Sequence, residues 1–245
     1  MPKFFVTQDK ISDNQIIIDS EDVTHISRVL RLEKGDNVTV CDGQGTDYDA
    51  QIDTIEPKKI LLNIISRQKS ETEPNIKVTL FQALPKASKM EYIIQKTTEL
   101  GISEIVPVKL SRCVVKIDNK KDEKKKIDRW QKIAESAAKQ SGRGIVPTVS
   151  EFMTVNEVIE KSKEFDLFFV PYECEEQKTL KEILTSKSDV KSVGFVIGPE
   201  GGFDLDELEL AKEAGCEIIT LGKRILRTET AGMMLLSVLM YHLEQ

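Results

Sequence analysis

The sequence predicts a small β-rich domain followed by a larger α/β domain whose sheet is mainly parallel. Up to residue 65, apolar residues come in short, partly alternating runs separated by turn signals, whereas from residue 76 strand patterns alternate with helix patterns. The 245 residues are 40% hydrophobic and 31% charged, which is the composition of a folded globular protein. This length accommodates one small and one larger domain.

The first 65 residues predict a small barrel with one helix. A helix is predicted over 20–32 because apolar residues recur there at helical spacing, and Ser20 or Asp22 is available as its N-cap. Short strands joined by turns are typical of small barrels. The polar segment 66–75, which includes Pro74, is predicted to be a linker. The predicted strands are 4–6, 15–18, 37–41, 47–55 and 59–65.

The rest of the chain predicts βαβ units. Alternating strands and helices form a largely parallel sheet covered on both faces, and such sheets bind ligands beyond the carboxyl ends of their strands. The predicted strands are 76–82, 104–108, 166–170, 193–197 and 217–221. The predicted helices are 88–100, 124–140, 155–161, 179–184, 205–214 and 229–243.

Several classes of protein are excluded by composition. The longest apolar run, 233–240, is shorter than the roughly 20 residues that span a bilayer. The chain does not open on a signal-peptide pattern, so we expect a cytoplasmic protein without a membrane partner. The few cysteines and histidines lie far apart and lack metal-ligand spacing, which argues against a disulfide framework or a metal site. These residues are Cys41, Cys113, Cys174, Cys216, His25 and His242.

Charge is distributed unevenly. The net charge of −6 argues against indiscriminate coating of nucleic acid. Residues 116–132 nevertheless carry eight basic and four acidic side chains. Such a stretch is either a solvated helix face or a binding surface.

Residues 198–202, Gly-Pro-Glu-Gly-Gly, stand between a predicted buried strand and a helix. The segment is not a phosphate loop, because it lacks the lysine of a Walker motif and has Glu200 where a dinucleotide loop needs glycine. A carboxylate here suits a ligand with a cationic or hydrogen-bond-donating group. The alternative is a tight turn without a ligand. Asp204 and Glu207 have capping-box spacing, and Gly215 is placed to end the helix.

Residues 221–231, Leu-Gly-Lys-Arg-Ile-Leu-Arg-Thr-Glu-Thr-Ala, place an apolar pair between Arg224 and Arg227. Thr228 is predicted to cap the next helix, and Glu229 suits its positive N-terminus. That helix is apolar around most of its circumference. We expect it to be wholly buried, either in the core or against a second subunit.

Together these motifs resemble the RsmE family of 16S rRNA (uracil-N3)-methyltransferases. The resemblance covers essentially the full length; Cys113 stands where the family pattern leads us to expect serine. In addition to 198–202 and 221–231, the motifs that carry it are His25 with Arg28-Val29-Leu30-Arg31 and Gly35-Asp36, Gln-Ala-Leu-Pro-Lys at 82–86, residues 89–91, Gln-Lys-Thr-Thr-Glu-Leu-Gly at 95–101, and Glu135 with Gln140-Ser141, Arg143 and Pro147.

The resemblance implies a SPOUT-type knotted catalytic domain over 76–245, with a C-terminal trefoil knot, after a PUA-like β-barrel over 1–70 that binds RNA. It also implies a homodimer, S-adenosylmethionine as methyl donor, and 16S rRNA within the small ribosomal subunit as acceptor. Periodicity and composition do not indicate the knot, and knots are rare in proteins. No metal is implied.

The implied donor site lies in the two glycine-containing segments. S-adenosylmethionine carries a cationic sulfonium and no phosphate, so it needs backbone groups and apolar walls rather than a phosphate loop. The candidate cofactor-binding residues are Gly198, Pro199, Glu200, Gly201, Leu221, Gly222, Ile225 and Leu226.

Arg227 is the candidate for stabilising negative charge on the acceptor uracil, because a guanidinium can pair with its carbonyl oxygens. Glu200 or Glu229 is the candidate orienting group or proton acceptor, and the alternative for Glu229 is stabilisation of the helix terminus alone. We leave that choice open here.

The candidate RNA contacts are basic. For Arg143 the alternative is a structural ion pair, and for His25 a partly structural role. Two other functions remain as alternatives: a non-catalytic RNA-binding or ribosome-assembly factor, and a nucleotide-binding enzyme unrelated to RNA. The candidate contacts are His25, Arg28, Arg31, Lys124, Lys125 and Arg143.

Overall fold

The structure is a computed structural model that describes residues 3–117, 119–187 and 189–244. The chain divides into two compact units. The first comprises Met1–Glu73 and Ala138–Val146, and the second comprises Pro74–Ala137 and Pro147–Gln245. None of the described helices is long and apolar enough to cross a membrane.

The first unit is built on one five-stranded sheet with the strand order β1-β3-β4-β5-β2. The β1–β3 pair is parallel and the other pairs are antiparallel. Alternating side chains of these strands form an apolar core with Val23 and Ile26. The predicted β-rich domain is therefore present. The strands are β1 (Lys3–Phe5), β2 (Gln15–Ile18), β3 (Asn37–Cys41), β4 (Thr46–Glu56) and β5 (Lys59–Lys69).

The predicted linker 66–75 is wrong at its start, because β5 continues to Lys69. The last residues of β5 are exposed, yet their backbone still pairs with β4, and this pairing extends to Lys69 opposite Thr46. Polar side chains make this stretch look like a linker in the sequence. A strand needs only its backbone paired, and both faces of this end are solvated.

The helix predicted over 20–32 is shorter than expected, and part of it is a π-helix, which is wider than an α-helix. It consists of α1 (Asp22–Thr24) followed by one π-helical segment, His25–Val29. The wider turn keeps Ile26 in the core, whereas Val29 is exposed. Arg31 then takes a positive φ of 54°, which ends the helical path.

A buried ion pair joins the two chain segments of the first unit. Arg143 Nη2 lies 2.6 Å from Glu73 Oε2, and the two side chains are only 5% and 9% exposed. Glu73 Oε1 also accepts the backbone N–H groups of Gly144 and Ile145, at 2.8 and 3.1 Å. The segment 138–146 thus packs with the first unit, although it lies within the range 76–245 predicted for the catalytic domain.

We predict that Glu73→Ala destabilises the first unit by about 3–5 kcal/mol, because it leaves the Arg143 guanidinium buried without its carboxylate. Urea unfolding followed by circular dichroism measures this loss. The control is Glu160→Ala, which breaks the exposed ion pair between Glu160 and Lys163 and should change stability by less than about 0.5 kcal/mol. Equal stability of the two variants would contradict the prediction.

The second unit contains a seven-stranded sheet in which every strand pair is parallel. The strand order is β12-β10-β11-β6-β7-β8, with β9 also paired to β7. The strands are β6 (Lys77–Ala83), β7 (Glu104–Lys109), β8 (Thr148–Val149), β9 (Met153–Thr154), β10 (Leu167–Pro171), β11 (Ser192–Ile197) and β12 (Glu217–Ile219). The helices are α2 (Lys89–Glu99), α3 (Lys120–Ser141), α4 (Val155–Ser162), α5 (Leu180–Ser186), α6 (Leu205–Glu213) and α7 (Thr228–Leu243).

The predicted α/β alternation is confirmed, apart from two short strands. β8 and β9 have two residues each, too few to show a periodic pattern. The central strands are apolar on both faces because helices cover the sheet, and Phe81, Phe169 and Phe195 are fully buried on them. The helix α3 begins at Lys120, one turn earlier than predicted.

We expect α7 to be wholly buried, either in the core or against a second subunit, and the single chain buries only part of it. Six of its residues are buried, including Leu235, Leu236 and Leu239. Met234 and Tyr241, which lie on one face, are 37% and 75% exposed. The single chain therefore covers α7 only in part, and burial of the exposed stripe against a second subunit stays a prediction.

Candidate functional site

Four loops follow the carboxyl ends of parallel strands in the second unit. They are the segments 84–88 after β6, 110–117 after β7, 198–204 after β11 and 220–227 after β12. Since parallel strands all end at the same edge of a sheet, these loops border one region. Most of the residues predicted to bind the donor and carry out the chemistry lie on the last two loops.

The loop 198–204 is held by side chains from two directions. Glu207 is buried and accepts the backbone N–H of Ser111 at 2.8 Å and that of Asp204 at 3.0 Å. Arg112 donates to Asp204 Oδ2 and, at 3.3 Å, to the Gly201 carbonyl. The predicted capping box of Asp204 and Glu207 is confirmed. Glu207 also joins this loop to the one that follows β7.

Two glycines in these loops have conformations that favour glycine. Gly202 has a φ of +69°, and a Cβ there would lie 2.7 Å from Glu173 Oε1. Gly222 has a φ of +101° and open space where a Cβ would stand. The backbone at Gly222 is therefore accessible to a ligand.

Thr228 links α7 to the ends of two strands. Its hydroxyl donates to the Gly198 carbonyl at 2.8 Å and accepts from Gln82 Nε2 at 3.0 Å. Gln82 is fully buried and also donates to the Ala83 carbonyl. The prediction that Thr228 caps the helix is wrong: Arg227 occupies the N-cap position without a side-chain cap, and the Thr228 hydroxyl is taken up by this tertiary contact.

Lys89, the first residue of α2, bridges two candidate carboxylates. Its Nζ donates to Glu200 Oε1 at 3.0 Å and lies 3.3 Å from Glu229 Oε2. The hydrogen bond to Glu200 raises the pKa of Lys89 above its ordinary value, despite partial burial, so it remains an ammonium.

Glu200 is held as an anion by the same contact. Burial alone would raise the pKa of Glu200, but the hydrogen bond from Lys89 and the backbone N–H groups of Glu200 and Lys86 outweigh that effect and lower it. The Lys86 N–H donates to Glu200 Oε1 at 3.2 Å. Glu200 is therefore tied to the turn between β6 and α2 on the neighbouring strand.

The remaining candidates on the loops 198–204 and 220–227 differ in exposure. Arg227 is exposed, and no other described residue forms an ion pair or side-chain hydrogen bond with its guanidinium. Ile225 is 89% exposed, whereas Leu221 and Leu226 are half-buried. Pro199 is buried, and Gly201 is exposed. The loop 220–227 therefore offers apolar and cationic groups that the second unit itself leaves unpaired.

A separate cavity of about 240 Å³ lies at the amino ends of β10 and β12. Several of its polar groups are already paired. Asp166 Oδ2 accepts the N–H groups of Lys191 and Ser192 at 2.9 Å, and Cys216 Sγ lies 3.5 Å from Ser162 Oγ. We place the functional site at the opposite, carboxyl edge, where charged groups remain open. Among the residues that the structure describes, no cluster of His, Cys, Asp and Glu could hold a metal ion.

Comparison with known proteins identifies the family. A model described as the RNA methyltransferase domain matches residues 72–240, and one described as the RNA methyltransferase PUA domain matches residues 18–65. The ribosomal RNA small subunit methyltransferase E of Bacillus subtilis is 36% identical, with 100% of this chain and 98% of that protein aligned. The chain belongs to the ribosomal RNA small subunit methyltransferase E family.

Other members of the methyltransferase E family are similar to this chain over nearly its full length. The protein from Mesomycoplasma hyopneumoniae is 32% identical and covers 97% of this chain, with 98% of its own length aligned. The crystal structure of the Neisseria gonorrhoeae enzyme, bound to S-adenosyl methionine, is 31% identical with a TM-score of 0.84, and the match covers 98% of this chain and 97% of that one. The resemblance inferred from the motifs is thus confirmed.

The basic residues expected to contact RNA are exposed, with one exception. His25, Arg28 and Arg31 are exposed at and beyond the π-helical segment of the first unit, and Lys124 and Lys125 are exposed on α3 of the second unit. Arg143 is instead buried in its ion pair with Glu73, so the structural alternative holds. We therefore withdraw Arg143 from the RNA contacts, because its guanidinium is not available to a phosphate.

Sequence reasoning missed three contacts at this edge. Lys89 belongs to a family motif, but nothing in that motif shows that it bridges Glu200 and Glu229. The signal for Gln82 is a polar residue in an otherwise apolar strand, since buried polar groups need a partner. The double hydrogen bond of Thr228 has no sequence signal, because it depends on tertiary packing.

We predict that Thr228→Val destabilises the second unit by about 1–3 kcal/mol, because the isosteric valine leaves the Gly198 carbonyl and one Gln82 donor contact unpaired. It should also weaken binding of S-adenosylmethionine, measured by calorimetry. Thr228→Ser retains the hydroxyl and is the matched control. If Thr228→Val binds the donor and unfolds as wild type does, this contact does not position the loop.

Proposed function

We propose that this chain transfers a methyl group from S-adenosylmethionine to N3 of a uridine in small-subunit ribosomal RNA. The observation that carries the proposal is the match, over the full chain, to the methyltransferase E family. The reaction class follows from that membership. The uridine, its N3 atom and the roles of individual residues are our inference from the site.

The groups at the carboxyl edge fit this donor. When bound, S-adenosylmethionine supplies a methyl group on a cationic sulfur, which leaves as a neutral thioether. The loop 198–202 presents a carboxylate rather than a phosphate-binding lysine, and Gly222 offers open backbone. Exposed Ile225 and half-buried Leu226 provide apolar surface beside it. We assign donor binding to the loops 198–202 and 221–226, which position the methyl group and exclude water from it.

Arg227 is placed to act on the acceptor base. Uracil N3 carries a proton at neutral pH, and as that proton leaves, negative charge spreads to the flanking carbonyl oxygens. The Arg227 guanidinium is exposed next to the amino end of α7, and no other described side chain pairs with it. A free guanidinium stabilises that charge through hydrogen bonds to a carbonyl oxygen.

We assign the binding of acceptor RNA to exposed basic residues. We assign phosphate contacts to Lys124 and Lys125 of α3 and, in the first unit, to Arg28, Arg31 and His25. Lys124 forms no ion pair with any described residue, and Lys125 has only a 3.7 Å contact with Asp122 Oδ1. Their charges are therefore available to phosphate even though the whole chain is acidic.

We propose that α7 packs against a second copy of this chain. We also propose that the C-terminal domain is knotted, as the resemblance implies. Met234 and Tyr241 lie with Thr230 and Ser237 on an exposed stripe of α7, and α2, which packs on α7, adds exposed Tyr92. Light scattering at micromolar concentration should give twice the chain mass of 27.7 kDa. A fully active monomer would contradict the dimer.

The activity is tested by methyl transfer from labelled S-adenosylmethionine to unmodified small-subunit RNA, free or in particles, followed by nucleoside analysis. We expect 3-methyluridine. Label on another position would refute N3 as the acceptor. Donor binding without transfer to either substrate would support the non-catalytic alternative, a ribosome-assembly factor.

Arg227→Ala should lower turnover at saturating donor and RNA by about 100- to 1,000-fold, because it removes one preorganised contact to the developing charge. Lys124→Glu/Lys125→Glu should instead raise the half-saturating RNA concentration and reduce the salt dependence of binding, because fewer counterions are released. Steady-state kinetics of folded variants separates the two. If Arg227→Ala retains wild-type turnover, Arg227 has no catalytic role.

A further inference from the structure

We infer that Lys89 is a positioning residue that fixes Glu200 in the wall of the site and leaves Glu229 as the proton acceptor of the reaction. This inference rests on the proposed function and deepens it. It assigns different roles to two carboxylates that the sequence leaves equivalent. The evidence is the geometry around Lys89.

Lys89 joins three separate segments of the second unit. Its own helix, α2, follows β6; Glu200 lies on the loop after β11; and Glu229 lies in the first turn of α7. One ammonium group reaches both carboxylates, at 3.0 Å and 3.3 Å. An ammonium has three donors on a flexible stem, so it can serve two anions whose directions differ.

The turn before α2 is shaped for this contact. Ala87 has a φ of +54°, a conformation that costs energy for a residue with a Cβ. Such strain persists only where the surrounding structure determines it, and it concentrates at functional sites. In the same turn the N–H of Lys86 points at Glu200 Oε1, 3.2 Å away. The Lys86 backbone and the Lys89 side chain therefore bind the same carboxylate oxygen.

The two carboxylates are held differently. Glu200 Oε1 accepts two hydrogen bonds, from Lys86 N and Lys89 Nζ, and is thereby fixed to a neighbouring strand end. Glu229 is only 15% exposed, and its Oε2 accepts no hydrogen bond from any described residue; the Lys89 ammonium lies 3.3 Å away without hydrogen-bond alignment. Glu229 thus keeps one buried oxygen without a hydrogen bond, whereas Glu200 Oε1 has used both of its acceptor positions.

This difference matters for the proton of uracil N3. As the N3–methyl bond forms and the sulfur–methyl bond breaks, N3 must lose its proton. The Glu229 carboxylate accepts it, becomes a neutral carboxylic acid, and later releases the proton to solvent. Charge balances, because the sulfonium becomes a neutral thioether, the base becomes neutral N3-methyluracil, and one proton is released. Glu229 follows Arg227 by two residues, so one helix terminus supplies both the acceptor and the cation.

Neighbouring charges are mostly paired elsewhere. On α2, Glu91 pairs with Arg129 of α3 at 2.7 Å, and beyond Glu200, Asp204 pairs with Arg112. Lys86 is exposed in the turn before α2, and Arg227 is exposed two residues before Glu229 in the chain. Lys89 is therefore the cation in direct contact with both carboxylates.

The test combines donor binding with the pH dependence of single-turnover methyl transfer at saturating donor and RNA. Lys89→Met removes the contact that fixes Glu200, so it should weaken binding of the donor, measured by calorimetry, by about 10- to 100-fold and still show the acid limb. Lys89→Arg retains a cation and should restore donor binding toward wild type. Lys96→Met, on the same helix but paired with Glu99, is the matched control and should leave donor binding and the profile unchanged.

The carboxylates are compared by isosteric variants. Glu229→Gln should lower the single-turnover rate by about 100- to 10,000-fold and remove the acid limb, as expected for loss of a proton acceptor. Glu200→Gln should retain the acid limb and chiefly weaken binding of donor or RNA. Thermal unfolding and donor calorimetry establish that each variant folds and binds. The reverse pattern, with Glu200→Gln losing the acid limb, would overturn the assignment.

The outcomes also separate this inference from the proposed function. If the wild-type protein forms no 3-methyluridine, the proposed function fails. If wild type is active but Glu229→Gln keeps its rate, or Lys89→Met binds the donor as wild type does, only the present inference fails. Both arms must behave as stated for the inference to hold.

Discussion

The hydroxyl group of Thr228 is the contact on which the geometry of the carboxyl edge depends. It accepts from Gln82 at the end of β6 and donates to Gly198 at the end of β11, while its own backbone begins α7. A buried hydroxyl must be paired, so α7 can start only where both partners are in reach. Arg227 and Glu229 flank Thr228, and their positions follow from that single buried contact.

The site separates two opposite electrostatic requirements. A cationic methyl donor is favoured by negative charge, whereas RNA phosphates are favoured by positive charge. Glu200, on the loop after β11, and Glu229, in the first turn of α7, share one ammonium, and the exposed cations Lys124 and Lys125 lie on the surface of α3. An acidic chain can therefore act on RNA, because charge is arranged locally and the net value of −6 hides that arrangement.

Features that depend on residues close together in the chain could be predicted from the sequence. The alternation of strands and helices, the capping box of Asp204 and Glu207, and the helix end at Gly215, whose φ is +82°, all depend on neighbours within a few residues. The family motifs then led to the correct family over the whole length. The capping residues and the family motifs could both be recognised because each lies within a short segment of the chain.

Contacts made by tertiary packing could not be predicted in this way. Arg143 looks the same in sequence whether it meets a phosphate or Glu73, which is 70 residues away. Thr228 has the residue type of a helix cap, and its hydroxyl was taken by partners that only the fold brings together. The polar end of β5 resembles a linker because its strand character comes from pairing with β4 and not from its side chains.

The most direct measurement is a crystal structure of this protein with S-adenosylmethionine bound. We predict that the donor lies against the loops 198–202 and 221–226, with its methyl group facing the amino end of α7 and Arg227. A donor bound elsewhere, for instance in the cavity beside Cys216 at the amino ends of the strands, would contradict the account.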